Sequence, residues 1–228
     1  MIALIRYQFI TYLKSYRYIP PLALYLISLI VTYTYAPNPI IDSFYNTAIY
    51  LFLLSAWFTI SFFHAEDEKQ ERITRIHVTK KRTYFISKIV CVIIIGTILS
   101  GVSVLYPTVV GGFETKPTIH QLLLGYVLHW LFSVMGMSIS LLFTRNITDS
   151  GNASWFGPAL ILVLTLAVAG VSYPYEGIQM LIYVLPPVTA IIHFINEGMN
   201  QFIAFGWGIG YSFLLVLLYI MIVQRKDL

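Results

Sequence analysis

The chain has 228 residues, of which 58% are hydrophobic and 11% are charged, and its formal net charge is +4. Soluble domains average about 45–50% apolar and about 25% charged residues, so this composition excludes a soluble enzyme and predicts a membrane protein. The single cysteine, Cys91, lies in an apolar run, which excludes an internal disulfide and a cysteine metal cluster.

Residues 1–17 predict an amphipathic helix that lies in the plane of the lipid headgroups. Ile5 and Phe9 recur at helical spacing, whereas Arg6 falls on another face. The pair Pro20-Pro21 favours a break before the first apolar run, because proline interrupts the helical hydrogen bonds. The alternative is that these residues form the frayed end of the first span.

Six apolar runs of about 17 to 25 residues follow, which is the length that crosses the ~30 Å hydrocarbon core of a bilayer. Most are apolar on all sides, which disfavours a soluble bundle. The sequence therefore predicts an all-α membrane protein with six transmembrane helices in one domain. The runs are Ile19–Ala36, Asn46–Phe63, Tyr84–Leu105, Leu122–Thr144, Trp155–Val171 and Phe202–Val223.

The basic residues predict the orientation of these spans. Thirteen of the 14 lysines and arginines flank one side, and only Lys116 falls on the other. Because cytoplasmic flanks retain Lys and Arg, we expect both termini in the cytoplasm and the protein in the cell membrane. Pro37, Pro39, Pro107 and Pro117 predict loops on the outer side.

The second connection, residues 64–83, predicts a short cytoplasmic helix. Glu68 precedes Arg72 by four positions, and Glu71 precedes Arg75 in the same way, which is the favourable order for ion pairs on a solvated helix. The bases alone could serve only to set the topology. That role does not explain the acidic residues of this connection, because Asp and Glu contribute little to orientation.

Ile73 and Ile76 form a small apolar edge on this predicted helix. A loop that was merely solvated would not need such an edge.

Residues 180–201, between the last two spans, are apolar but interrupted by Pro186-Pro187 and ended by Asn196-Glu197-Gly198. This pattern favours a re-entrant or interfacial helical pair at the outer surface, shielded by protein because its backbone is broken. A seventh span is the alternative, but it would place Arg225 and Lys226 outside the cell.

Chemistry-bearing residues are scarce in the spans. His129 is the one mid-span candidate, and a lone histidine among apolar residues is more often a hydrogen-bonded packing residue than a proton relay. Without buried acids or bases a proton- or sodium-coupled carrier is hard to build. The sequence also has no phosphate loop, no His-Glu-x-x-His zinc motif and no serine-nucleophile motif. Glu66, Glu68, Glu71 and Arg72 loosely suggest a double-acid protease motif, but we expect them in the aqueous loop.

The segment from Glu66 to Arg75, followed by Arg82, Tyr84 and Lys88, resembles the acidic coupling segment of membrane subunits in the second ABC permease family, the type V exporters. Residues 185–189, Leu-Pro-Pro-Val-Thr, resemble the proline-containing outer re-entrant segment of that family. The layout of nearly the whole chain is also similar to that of these subunits.

The resemblance implies a permease subunit that is not itself an enzyme. It implies partnership with a dimer of separate ATPase subunits, which would carry the ATP and Mg²⁺, and with a second six-helix subunit, identical or homologous. Membrane lipids are expected partners and nucleic acid is not, and no cofactor or metal is expected in this chain. The residues that would contact the ATPase are Glu68, Glu71, Arg72, Ile73, Arg75 and Ile76.

The expected substrate is amphipathic or hydrophobic, such as a peptide, toxin, drug or lipid-like molecule, because the spans offer aromatic and hydroxyl groups but few charges. Small subunits of this type resemble exporters of antimicrobial peptides and phenol-soluble modulins. A non-transporting membrane anchor, sensor or immunity protein is the main alternative, and an intramembrane enzyme is a third. The candidate residues of the substrate path are Tyr50, Trp57, Tyr126, His129, Trp130 and Trp207.

Overall fold

The computed structural model describes residues 1–78, 80–148, 150–169, 185–197 and 200–226. These residues form helices joined by short connections and contain no β-strand. The helices are α1 Ile2–Ser15, α2 Ile19–Thr34, α3 Ile40–Phe63, α4 Glu68–His77, α5 Lys81–Val110, α6 Ile119–Leu141, α7 Gly151–Ala169, α8 Val188–Asn196 and α9 Gln201–Lys226.

Five of these helices, α3, α5, α6, α7 and α9, are long and apolar enough to cross a membrane. The prediction of an all-α, multi-pass membrane protein is therefore confirmed. Helix α2 is apolar but has 16 residues. At 1.5 Å per residue it is about 24 Å long, which is shorter than the ~30 Å hydrocarbon core. The sixth span stays a prediction.

The predicted break before the first apolar run is present, because α1 ends at Ser15 and the chain turns at Tyr16, whose φ is 56°. Pro20 and Pro21 follow it in the first turn of α2, where proline lacks only an N–H that is unbonded anyway. Pro107, predicted in a loop, lies inside α5, and this helix ends at Gly111 with a φ of 68°.

Helices α3 and α6 form the centre of the bundle. In their apolar windows 72% and 67% of residues are buried, against 22% in α7 and α9. Gly136 on α6 permits this close approach, because a Cβ atom there would collide with the backbone carbonyl of Phe52 on α3. Gly206 and Gly210 on α9 face open space within this chain.

Helix α8 packs into the same core. Its apolar side chains Val188 and Ile191 are fully buried and lie in one cluster with residues of α3, α6, α7 and α9. This helix lies within residues 180–201, and the re-entrant arrangement of that segment stays a prediction. Residues 180–184 and 198–199 of that segment lie outside the described residues.

The two ends of the bundle differ in chemistry. At one end, the connections before α3 and before α6 are joined by backbone hydrogen bonds of 3.0 Å, from Asn38 N–H to the Gly112 carbonyl and from Glu114 N–H to the Asn38 carbonyl. At the other end, Arg17 donates to the His64 carbonyl at 2.6 Å. We call this second end the charged end, since it gathers the basic residues apart from Lys116.

Candidate functional site

A buried ion-pair network lies at the charged end, between α4 and the rest of the bundle. Lys88 on α5 is 1% exposed. Its Nζ atom lies 3.4 Å from Glu71 Oε2 and 3.8 Å from Glu66 Oε2. The ammonium also lies 4.7 Å from the ring centroid of Tyr84, a cation–π distance. A cation this deeply buried is stable only when it is paired, and here two carboxylates supply its charge partners.

Glu71 joins α4 to the connection between α6 and α7. Its Oε2 atom accepts from Arg145 Nη2, and its Oε1 atom accepts from Asn146 Nδ2 at 2.8 Å. Burial alone would raise the pKa of Glu71, but the charges of Lys88 and Arg145 and these hydrogen bonds outweigh it. The pKa therefore lies below its ordinary value of 4.5, and the carboxylate is ionised at neutral pH.

Glu66, which precedes α4, joins three helices. Its Oε1 atom accepts from the Tyr7 hydroxyl of α1 at 2.9 Å and from the Thr74 hydroxyl of α4 at 2.8 Å. Its Oε2 atom accepts from the Tyr84 hydroxyl of α5. Every carboxylate oxygen of Glu66 and Glu71 thus faces at least one donor. This saturation is typical of a structural network and unlike an acid–base pair that must reach a substrate.

The prediction that Glu66, Glu68, Glu71 and Arg72 lie in an aqueous loop is wrong for Glu66 and Glu71, which are buried, at 3% and 4% exposure. Glu68 and Arg72 are exposed.

The buried network also includes Lys88, which the sequence analysis named in the family resemblance, and Arg145, which it counted only among the flanking bases.

His64 fixes the junction between α3 and the charged connection. Its Nε2 atom accepts from the backbone N–H of Arg145 at 3.2 Å, and its carbonyl accepts from Arg17. Burial, together with the positive charges of Arg145 and Arg17, lowers the pKa of His64 from 6.5 to about 4. The imidazole is therefore neutral at pH 7, with its proton on Nδ1.

Helix α4 presents two opposite faces. Glu71 and Thr74 lie on the inward face, where they bind the rest of the chain. On the outward face, Arg72 is exposed, Ile73 is 58% exposed and Ile76 is 81% exposed. The sequence predicted a short helix with an apolar edge here, and both features are present. Residue 79, which follows the helix, lies outside the described residues.

The six residues predicted to contact an ATPase divide between these faces. Glu68, Arg72, Ile73 and Ile76 are exposed, whereas Arg75 is half-buried with its guanidinium 5.1 Å from a phenylalanine ring centroid. Glu71 lies on the opposite side and is buried. The structure therefore places four of the six on a surface that another molecule can reach.

Two polar grooves flank α4. One has a volume of about 360 Å³ and is lined by Glu68, Glu71, Arg72, Arg75, Arg145, Asn146 and Thr148. The other has a volume of about 550 Å³ and lies between α4 and the start of α7. Its lining mixes cationic and anionic side chains with small residues.

Among the cavities lined by described residues, none gathers the predicted residues of the substrate path. Tyr50 and Trp57 lie on an exposed side of α3, each 37% exposed. Trp130 on α6 donates to the Thr97 hydroxyl of α5 at 3.2 Å. Trp207 on α9 and Tyr126 on α6 are half-buried at other positions. Of this set, Trp57 lines an apolar slot between α3 and α7.

His129, also in that predicted set, is fully buried between α3 and α6. Its Nδ1 atom lies 2.6 Å from the Gly125 carbonyl of its own helix, and its Nε2 atom lies 2.9 Å from the Thr47 hydroxyl. The Phe44 ring packs edge-on against the imidazole, with centroids 5.8 Å apart. These contacts are those of a hydrogen-bonded packing residue.

No group of three or more His, Cys, Asp or Glu side chains within the described ranges could hold a metal ion. Comparisons of this chain with protein-family profiles, with curated proteins and with solved structures give no match.

Proposed function

We propose that this chain is the membrane subunit of an ATP-driven exporter of the type V ABC class, and that α4 is the helix on which a separate ATPase subunit acts. The observation that carries the proposal is the two-faced character of α4. Its outward face exposes Ile73 and Ile76 beside Arg72, and its inward face is fixed to α5 and to the α6–α7 connection by buried ion pairs. An exposed apolar edge on a charged helix indicates a protein contact surface.

The inward face supplies the mechanical link that such a subunit requires. A force on α4 would reach α5 through Glu71 and Lys88, and it would reach the α6–α7 connection through Glu71 and Arg145. Packed helices shift as rigid units, so movement of α4 by nucleotide-driven closure of the ATPase pair would move the spans. The ATP and Mg²⁺ would lie entirely on the partner.

The proposed topology adds α2 to the five longer apolar helices, which gives six spans with both termini in the cytoplasm of the cell. The contact of Arg17 with His64 supports it, because the start of α2 lies beside the end of α3. The open glycine face of α9, at Gly206 and Gly210, supports packing against a second subunit. Helix α8 would belong to the outer re-entrant segment.

The proposed cargo is amphipathic or hydrophobic, such as a peptide, toxin, drug or lipid-like molecule. The spans support this class because, away from the helix ends, the side chains that they expose are mainly aliphatic or aromatic. A small ion would need charged or carbonyl ligands at membrane depth. A subunit that only anchors or senses is the alternative to be tested.

The test uses an ATPase with a phosphate loop that is encoded beside this chain, purified as a complex with it and reconstituted in vesicles. Arg72→Glu and Ile76→Asp should each abolish the stimulation of ATP hydrolysis by the membrane subunit, because both change the outward face of α4. Lys14→Glu on α1 is the matched control, since it makes the same charge change at an exposed site on the same end.

Normal ATPase stimulation in both α4 variants would reject α4 as the coupling helix. The absence of any ATPase that associates with the chain would reject the exporter and favour the anchor.

A further inference from the structure

Two cavities of opposite polarity adjoin each other at the charged end, between α3 and α7. The polar one is the 550 Å³ groove, which we call the polar compartment. It is lined by Arg17, His64, Ala65, Glu66, Asp67, Glu68, Lys69, Arg145, Thr148, Gly151 and Ser154. The apolar one, of about 180 Å³, we call the apolar slot. It is lined by Leu53, Ala56, Trp57, Ile60, Trp155, Pro158, Ala159 and Leu162.

The two cavities lie next to each other along both helices. On α3 and just beyond it, His64 lines the compartment, and Ile60, Trp57 and Leu53 line the slot at successive turns. Trp155 of α7 stands at the boundary, with its ring centroid 6.3 Å from that of His64 and 6.4 Å from that of Trp57. A molecule with a polar end and an apolar end would fit across this boundary.

The apolar slot has the dimensions of one acyl chain. From Ile60 to Leu53 the helix rises about 10 Å at 1.5 Å per residue, which is about two thirds of the ~15 Å that one leaflet contributes to the hydrocarbon core. A volume of about 180 Å³ over this length corresponds to a cross-section of about 17 Å², against about 80 Å² for a helix about 10 Å across. A single extended chain is therefore a better occupant than a helix of a second protein subunit.

The polar compartment carries both signs of charge on its accessible surface. Arg17 and Lys69 are exposed and supply a guanidinium and an ammonium, and Asp67 and Glu68 are exposed and supply carboxylates. The charges of Glu66 and Arg145 are directed into the buried network instead. A headgroup of matching chemistry would therefore carry an anion and a cation.

We propose that the polar compartment and the apolar slot together hold one phospholipid whose headgroup bears a phosphate and a primary ammonium. The phosphate binds Arg17 and Lys69, the ammonium donates hydrogen bonds to Asp67 and Glu68, and one acyl chain lies between α3 and α7. Charge-assisted hydrogen bonds of this kind are the strong ones. A quaternary ammonium has no N–H to donate, and a glycerol headgroup has no cation.

This inference goes beyond the proposed export function and does not depend on it. It requires only that the bundle spans a bilayer, with the charged end at the level of the headgroups. A transporter and a membrane anchor would both hold this lipid.

The test measures quenching of Trp155 by phospholipids with brominated acyl chains. The full chain, with Trp57, Trp130 and Trp207 changed to Phe, is reconstituted in phosphatidylcholine vesicles that contain a minor share of one brominated lipid. Brominated phosphatidylethanolamine should quench Trp155 at a roughly tenfold lower share than brominated phosphatidylcholine or phosphatidylglycerol, which is the preference that one charge-assisted hydrogen bond provides.

A chain that retains only Trp207, on α9, is the control, and the three lipids should quench it equally. In the Trp155 chain, Asp67→Asn with Glu68→Gln should remove the preference for phosphatidylethanolamine, because these carboxylates accept from its ammonium. Arg17→Gln with Lys69→Gln should instead weaken quenching by all three lipids, because each carries the phosphate. Ala159→Phe, which fills the slot, should remove the preference while both carboxylates remain.

Equal quenching of Trp155 by the three lipids, or stronger quenching by phosphatidylglycerol, would overturn the proposal. An unchanged preference in Ala159→Phe would overturn the assignment of the acyl chain to the slot. Circular dichroism and gel filtration establish that each variant is folded before it is compared.

Discussion

Arg145, in the connection between α6 and α7, binds the carboxylate of Glu71 on α4, although 74 residues separate the two in the sequence. The side chain of Glu71 is 5% exposed and that of Arg145 is 19% exposed. This ion pair ties the charged helix to the central bundle. Lys88, which also pairs with Glu71, ties α4 to α5.

Replacing Glu71 by Gln should lower the free energy of unfolding by about 3 kcal/mol, because it leaves the buried cations of Lys88 and Arg145 short of negative charge. Glu68→Gln, three positions away on an exposed site, should change it by less than about 0.5 kcal/mol. Thermal unfolding of the purified protein in detergent measures the difference. Equal stability of the two variants would show that Glu71 is not a structural anchor.

Charge reversal at Glu71 is therefore a poor probe of partner binding. A loss of ATPase stimulation in such a variant would follow from unfolding of α4 as readily as from a lost contact. The exposed residues Arg72 and Ile76 give the cleaner test.

The free energy of unfolding should fall as the pH is lowered from about 6.5 to about 4, because His64 takes up a proton in the unfolded chain. Its pKa is 6.5 in its ordinary state and about 4 in the fold, so the unfolded chain binds a proton in this range and the folded chain does not. Protonation therefore favours unfolding. The pKa of Glu71 is also lowered in the fold, so protonation of this carboxylate lowers the free energy of unfolding further below pH 4.5.

Unfolding midpoints measured from pH 7 to pH 4 check this prediction. His64→Gln should flatten the slope between pH 6.5 and pH 4.5, since Gln does not titrate and its side-chain oxygen can accept the Arg145 N–H. A slope identical to that of the natural sequence would assign the pH dependence to other groups.

Gly136→Ala should destabilise the fold by about 2 kcal/mol, because the added methyl group meets the backbone carbonyl of Phe52 and forces α3 and α6 apart. Gly206→Ala is the matched control, since its methyl group meets open space. We expect it to change the stability of the isolated subunit by less than about 0.5 kcal/mol. A neutral Gly136→Ala variant would contradict the close packing of these helices.

Single cysteines, placed in a chain with Cys91→Ala, should report the sidedness of the bundle. We expect a membrane-impermeant maleimide to modify Lys116→Cys in intact cells, and to modify Lys14→Cys and Arg225→Cys only in inside-out vesicles. The reason is that six crossings return both termini to the same side. Modification of Lys14→Cys but not of Arg225→Cys in intact cells would show that α2 does not cross.

The helices could be predicted from the sequence because the length of an apolar run is a local property. The boundaries moved by a few residues, as at α3, which begins at Ile40 and not at Asn46. Asp42 interrupts the apolar run there, yet in the first helical turn a carboxylate is favourable beside the unbonded N–H groups. A hydropathy pattern does not include this favourable effect of a carboxylate at the start of a helix.

The buried network could not be read from spacing within one helix, because its members come from α4, α5 and distant connections. Two signals were nonetheless present. Lys88 lies seven residues inside α5, and a lysine in an apolar run requires a nearby acid. Glu71 also falls on the side of α4 opposite to Ile73 and Ile76 at 100° per residue, so a helical projection would have separated it from the apolar edge.

Two backbone hydrogen bonds join Asn38 to Gly112 and to Glu114, at the end of the bundle away from α4, and fasten the connections before α3 and before α6. Among the described residues of the charged end, the contacts that join α4 to α5 and to the α6–α7 connection are ion pairs between side chains. Side chains can exchange partners while the backbone hydrogen bonds stay intact. We therefore expect any tilt of the long helices to be largest at the end where α4 lies.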